Sequence, residues 1–182
     1  HAVTIAGRNL ASAQALADEL GCAALRLDRQ GDLGALAGHD VVIDAAGPFH
    51  AYGPTSYRLP RAAIAAGLHY LDLSDDARFC AGIAALDAEA RAAGICVLSG
   101  LSSVPAISSA AVRALCGTQT PRLIDTGILP GNRSPRGLSV MTSILAQAGR
   151  PMQVWRGGQW RRATGWSAPA DYLLPDGRTR QG

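Results

Sequence analysis

The sequence predicts an α/β protein: a doubly wound parallel sheet over residues 1–117, followed by part of a second, α+β domain over residues 118–182. Three observations predict it. Short apolar runs alternate with alanine-rich segments of helical length four times before residue 100, the pattern of strands joined by crossover helices and covered on both faces. Glycines such as Gly21 and Gly94 close the helical segments. Small and acidic residues gather where two strand runs end, at Ala45-Ala46-Gly47-Pro48 and Asp72-Leu73-Ser74-Asp75, and ligands of such sheets lie at the carboxyl ends of the strands.

The elements follow in order. Residues 1–6, HAVTIA, read as a strand in a sequence without an initial methionine, so the chain is expected to open in mid-fold. After Gly7-Arg8-Asn9 comes a helix over residues 11–20, with apolar positions Leu10, Ala13, Leu16, Ala17 and Leu20. Residues 22–27 form the next strand. Asp28 ends it, and a short helical turn over residues 32–37 leads to a strand over 41–45. Gly47-Pro48 breaks that strand, residues 59–66 are helical, and residues 69–73 return as a strand. A long helix over 77–93 places Ile83 and Leu86 on one side, with Asp87, Glu89 and Arg91 mainly on the other. Residues 95–98 are the last strand of the series. A serine cap and Pro105 then mark a helix running to Cys116.

Past Gly117 the texture changes. Residues 123–129 read as a strand and residues 137–148 as an amphipathic helix ended by Gly149-Arg150-Pro151. Residues 153–155 and 159–161 flank Arg156-Gly157-Gly158, a hairpin signal because paired glycines accept positive φ. Trp155, Trp160 and Trp166 are expected to pack a sheet face. Pro175, Asp176 and Gly177 form a turn before a further expected strand, so this second domain is expected to be incomplete.

Composition narrows the function. With 182 residues, 48% of them hydrophobic, the chain can bury one good core. The net charge of +3 comes from 17 basic and 14 acidic residues without a long basic run, which disfavours a nucleic-acid surface. Cys22, Cys80, Cys96 and Cys116 form no CxxC pair and are expected to be free thiols of a cytoplasmic protein. No run approaches the ~20 apolar residues of a membrane span. His50 and His69 lack a spaced partner for a metal, so none is expected.

The segments AAGPF at residues 45–49, Tyr52-Gly53, AAGLHYLDLSDD at 65–76 and SGLSSVPAISSAAV at 99–112 together resemble the saccharopine dehydrogenase-like family of NADP-binding oxidoreductases. The resemblance is close over residues 1–116 and loose beyond. It implies a Rossmann-like doubly wound parallel sheet, NADP as cofactor, and hydride transfer at a C–N or related bond of a small-molecule substrate. In that family a G-x-G-x-x-G loop after the first strand holds the pyrophosphate on a helix N-terminus. This sequence has no such loop. By position Gly7-Arg8-Asn9 matches the end of the family's second strand, so the first βα unit is expected to lie outside the sequence. Homodimerisation through the second domain is a further expectation, and the reading from another class is a non-catalytic dinucleotide-binding sensor or interaction module.

Site residues follow from this frame. A carboxylate at the end of the second Rossmann strand favours a free ribose hydroxyl and an arginine favours a 2′-phosphate. Arg8 stands there, with Asn9 and Ser12 as further hydrogen-bonding groups. Asp28 matches the position near the adenine, or else caps the following turn. Ala45, Ala46, Gly47 and Pro48 carry no bulk, so a dinucleotide backbone can lie against them on the ribose and nicotinamide side. Phe49 and Tyr52 are candidates for the nicotinamide wall. The candidate proton carriers are Asp75 and Tyr52, with Asp72, Asp76 and His50 as weaker alternatives. The alternative for Asp72 is a cap on backbone amides, and for Asp75 and Asp76 a helix start that carboxylates stabilise for structural reasons alone. Ser99, Ser102 and Ser103 form a candidate anion site for a substrate carboxylate or the nicotinamide half.

Overall fold

The computed structural model describes residues 1–128, 133–134, 137–174 and 176–181. The chain divides into two compact units, His1–Arg113 and Ala114–Gly182.

In the first unit, β1 (Thr4–Gly7) and β2 (Ala23–Arg26) pair in parallel, Thr4 opposite Ala23 and Gly7 opposite Arg26. They are joined by α1 (Leu10–Leu20). Asn9 caps α1 by accepting the Ser12 N–H at 3.2 Å, and Gly21 closes it at φ 66°, a left-handed conformation that favours glycine. Ala13 and Ala17, one turn apart, are the buried face, whereas Leu10, Leu16 and Leu20 stay exposed. The stripe that packs on the strands is thus narrower than the run of apolar residues suggests.

A second parallel sheet has the order β3 (Val41–Asp44), β4 (His69–Asp72), β5 (Val97–Leu98), with Asp44 opposite Asp72. Sequence reasoning expects one continuous sheet, but the parallel strands fall into two pieces, β1–β2 and β3–β4–β5. Side chains alternate across a strand. Asp44, Tyr70 and Asp72 therefore point into the core while Val41 and Ile43 are exposed. Leu59, Ala63 and Ile64 of α2 (Arg58–Ala65) cover the inner face together with Leu68, Phe79, Ile83 and Leu86. Leu73 and Leu98 join Ile43 among the exposed apolar residues.

The expected long helix over 77–93 is three pieces: α3 (Ala77–Gly82), a 3₁₀ stretch (Ile83–Leu86) and α4 (Asp87–Ala92). At three residues per turn, Ile83 and Leu86 eclipse one another, and both are buried. The helix expected from the serine cap starts later. Ser103–Ile107 is a wide π turn in which the Ser102 side chain caps nothing, and regular α-helix, α5, runs only over Ser108–Cys116.

The second unit holds α6 (Leu138–Gln147) and two antiparallel pairs. The hairpin of β6 (Pro151–Arg156) and β7 (Gln159–Thr164) turns at Gly157 and Gly158, both at positive φ. Trp155 and Trp160 face each other across it edge to face at 5.3 Å. Both remain exposed, and Trp166 lies outside the strands, so the three do not build one packed face. The strand expected beyond Gly177 is β9 (Thr179–Gln181), paired with β8 (Asp171–Leu173); Pro175 lies outside the described residues. Residues 123–128 are not a strand: Leu123, Ile124 and Ile128 are exposed, and among the described residues no partner strand supplies the hydrogen bonds a strand needs. Leu129 lies outside the described residues.

Candidate functional site

Two buried aspartates organise the carboxyl ends of β3 and β4. Asp44, the last residue of β3, is 3% exposed, and its Oδ2 accepts from Arg29 Nη1 at 2.8 Å and from the Tyr70 hydroxyl at 3.1 Å. Its Oδ1 accepts the Ala46 N–H at 3.1 Å. A buried carboxylate needs such a partner, because desolvating an unpaired charge is costly. The Arg29 guanidinium also lies 3.5 Å from the centre of the Tyr52 ring, a stacked cation–π contact, and reaches the Ser56 carbonyl at 3.5 Å. Tyr52 in turn packs edgewise on Phe49 and Phe79.

Asp72 ends β4 and is fully buried. Its Oδ1 accepts three donors, the Ser74 N–H, the Ser99 hydroxyl and the Gly100 N–H, at 2.8 to 2.9 Å. It therefore ties the loop after β4 to the loop after β5. Oδ2 is buried and has no hydrogen-bond partner among the described residues. Gly100 is at φ +76°, and a Cβ there would sit 3.4 Å from Cys80 Sγ. The Ser99 hydroxyl lies 3.4 Å from that same sulfur.

Burial shapes the phenols around these carboxylates. Burial pushes the Tyr52 hydroxyl above its ordinary pKa, against the lowering pull of Arg29. Burial first, and then Asp44 and Asp72, push Tyr70 far above the ordinary tyrosine range.

A depression of about 280 Å³ is lined by Phe49, His50, Tyr57, Asp76, Arg78 and Phe79, among others, from the segments that follow β3 and β4. The structure brings several of the expected site residues to this end of the sheet. Ala45 and Ala46 form an exposed shelf directly after β3, and Gly47 and Pro48, joined by a cis peptide, continue it into the turn at Phe49. Phe49 is buried in the core and lines the depression, while Tyr52 is half-buried beneath Arg29 and packs edgewise on Phe49. Asp75 is exposed on the loop after β4. Asp76 caps α3 by accepting the Phe79 N–H at 2.8 Å.

The remaining expected residues lie elsewhere or have structural tasks. Arg8, Asn9 and Ser12 are exposed at the end of β1 and the start of α1, and the Asn9 side chain is engaged as the helix cap. Asp28 lies two residues past β2 and accepts the Gln30 N–H at 2.9 Å, closing a local turn. His69 Nδ1 accepts the Cys96 N–H at 2.9 Å. Ser99 serves Asp72, while Ser102 and Ser103 enter the wide turn and make no helix N-terminus. The residues that sequence reasoning missed are Arg29, Asp44 and Tyr70. One signal pointed to Asp44: a carboxylate inside the apolar run VVID must find a buried partner. All four cysteines are free. Among the described residues no cluster could hold a metal, and no helix is long and apolar enough to cross a membrane.

Comparison with known proteins agrees with this architecture. The sequence profile of the saccharopine dehydrogenase NADP binding domain matches residues 1–98. No curated protein matches the chain. Among solved structures, apo histidine-tagged saccharopine dehydrogenase (L-Glu forming) from Saccharomyces cerevisiae is similar, at 22% identity and a TM-score of 0.60. The match covers 98% of this chain and 42% of that one, so the chain spans less than half the length of this relative. At that identity the likeness speaks for the fold, a Rossmann-like α/β arrangement.

Proposed function

The chain belongs to the saccharopine dehydrogenase NADP-binding family, and on that premise we propose that it is the cofactor-binding part of an NADP-dependent oxidoreductase that transfers hydride at a C–N or related bond of a small molecule. One observation carries the reading. The end of β3 presents two exposed alanines in succession, directly above the buried Arg29–Asp44 pair that holds the Ala46 amide. A shelf without side-chain bulk at the carboxyl end of a parallel strand is where a dinucleotide backbone can approach closely. The residues present therefore fit the cofactor.

Each candidate then has a task. Arg8 binds the 2′-phosphate through its guanidinium, with Asn9 and Ser12 beside it. Ala45, Ala46, Gly47 and Pro48 carry the ribose and nicotinamide side, and Asp28 borders the adenine. When bound, NADPH supplies the hydride. Asp75 is the proposed proton carrier, because it is exposed on the loop after β4, the strand paired with β3. Tyr52, the second candidate, holds its proton firmly, since burial keeps the phenol neutral. A pairing of second domains into a homodimer belongs to the same proposal.

A second reading has its own support: Asp44 and Asp72, the carboxylates that end β3 and β4, are both engaged in internal hydrogen bonds. That suits a module which binds the dinucleotide without turning it over. Turnover separates the two. The full-length protein is incubated with NADPH and a panel of imines, amino acids and enoyl compounds, and NADPH consumption is followed by absorbance. Substrate-dependent consumption supports the enzyme, and tight binding with no consumption across the panel supports the sensor.

A further inference from the structure

We infer that Arg29 is a positioning residue for the cofactor shelf, acting through Asp44 on the Ala46 amide; this rests on the NADP reading given above. The geometry is a relay of three groups. Arg29 Nη1 and the Tyr70 hydroxyl both bind Asp44 Oδ2, at 2.8 and 3.1 Å. With Oδ2 occupied twice, the carboxylate cannot turn, and Oδ1 is presented to the Ala46 N–H at 3.1 Å. That bond sets the peptide plane between Ala45 and Ala46, the surface on which the dinucleotide rests.

The guanidinium is held beyond Asp44 as well: it stacks 3.5 Å from the Tyr52 ring centre and reaches the Ser56 carbonyl. The Arg29 backbone is held too, its carbonyl accepting from Arg58 Nη1 at 3.3 Å. The Arg29 side chain is 11% exposed and that of Asp44 1%. Arg29 thus joins the loop after β2 to the loop after β3. A lysine would supply charge at one point, but neither the planar fork nor the stacking face. A hydrogen bond to a dinucleotide demands backbone placement finer than folding alone requires.

The test uses the full-length protein, with NADPH titrated by calorimetry at a temperature well below unfolding and ligand-free Tm measured in parallel. Arg29→Lys keeps a charge on Asp44. Arg29→Met combined with Asp44→Asn removes both charges and so avoids stranding a buried carboxylate. Leu86→Ala, in the core and away from the shelf, is the control for lost stability. Both Arg29 variants are expected to keep a native circular dichroism spectrum and to bind NADPH about tenfold more weakly, the scale of one misplaced hydrogen bond. Leu86→Ala is expected to lower Tm and leave Kd unchanged. Wild-type Kd in both Arg29 variants, or an equal loss in Leu86→Ala, would make Arg29 structural only. Failure of the wild-type protein to bind NADPH overturns the NADP reading itself and this inference with it.

Discussion

Arg8 is exposed just after β1, with no ion pair among the described residues. If it reads the 2′-phosphate, Arg8→Ala weakens NADPH binding far more than NADH binding; equal losses, measured by fluorescence titration of both, would remove the assignment. Asp75→Asn is expected to lower turnover by roughly 10²-fold or more with NADPH affinity retained, as removal of a proton carrier does. Normal turnover in that variant would exclude Asp75. The buried phenols make a third residue-scale prediction. Burial raises Tyr52 and Tyr70 above their ordinary value, so above about pH 10 the unfolded chain releases protons that the folded one retains. Their contribution to stability is therefore complete below that pH and lost as pH rises through the folded values; a Tm independent of pH across the alkaline range would contradict it. At this scale the site was half legible. Ala45, Ala46 and Gly47 announce themselves by their lack of bulk, whereas the Arg29–Asp44 pair joins residues 15 apart in sequence and only folding brings them together.

At the scale of the element, short periodic segments were read more faithfully than long ones. The helix closed by Gly21 and the hairpin turning at Gly157-Gly158 follow from local chemistry, a left-handed glycine in each case. Gly158→Ala is expected to destabilise the hairpin by about 1 kcal/mol, because it forces a Cβ into the left-handed region. Thermal unfolding of the second unit reports it, and an unchanged Tm would show that the turn tolerates the strain. The segment over 77–93 reads as one helix because its apolar spacing suits one. The eclipsed pair Ile83 and Leu86 is buried better by a 3₁₀ turn, a tertiary preference that spacing alone does not carry. Residues 123–128 failed as a strand for a related reason: an apolar run becomes a strand only where a partner strand pairs with it.

At the scale of the whole molecule, alternating strands and helices sufficed to place the chain among parallel α/β folds, since each crossover needs a helix between parallel strands. The division of the strands into β1–β2 and β3–β4–β5 was not legible, because sheet membership depends on which strands find neighbours. All the candidate cofactor contacts, from Arg8 to Pro48, fall within the unit His1–Arg113. This unit is proposed to bind NADP at its strand ends. Titration of NADPH and NADH into the full-length protein, followed by calorimetry, tests that binding. Saturable binding with a clear preference for NADPH is expected, and binding of neither dinucleotide would contradict the proposal.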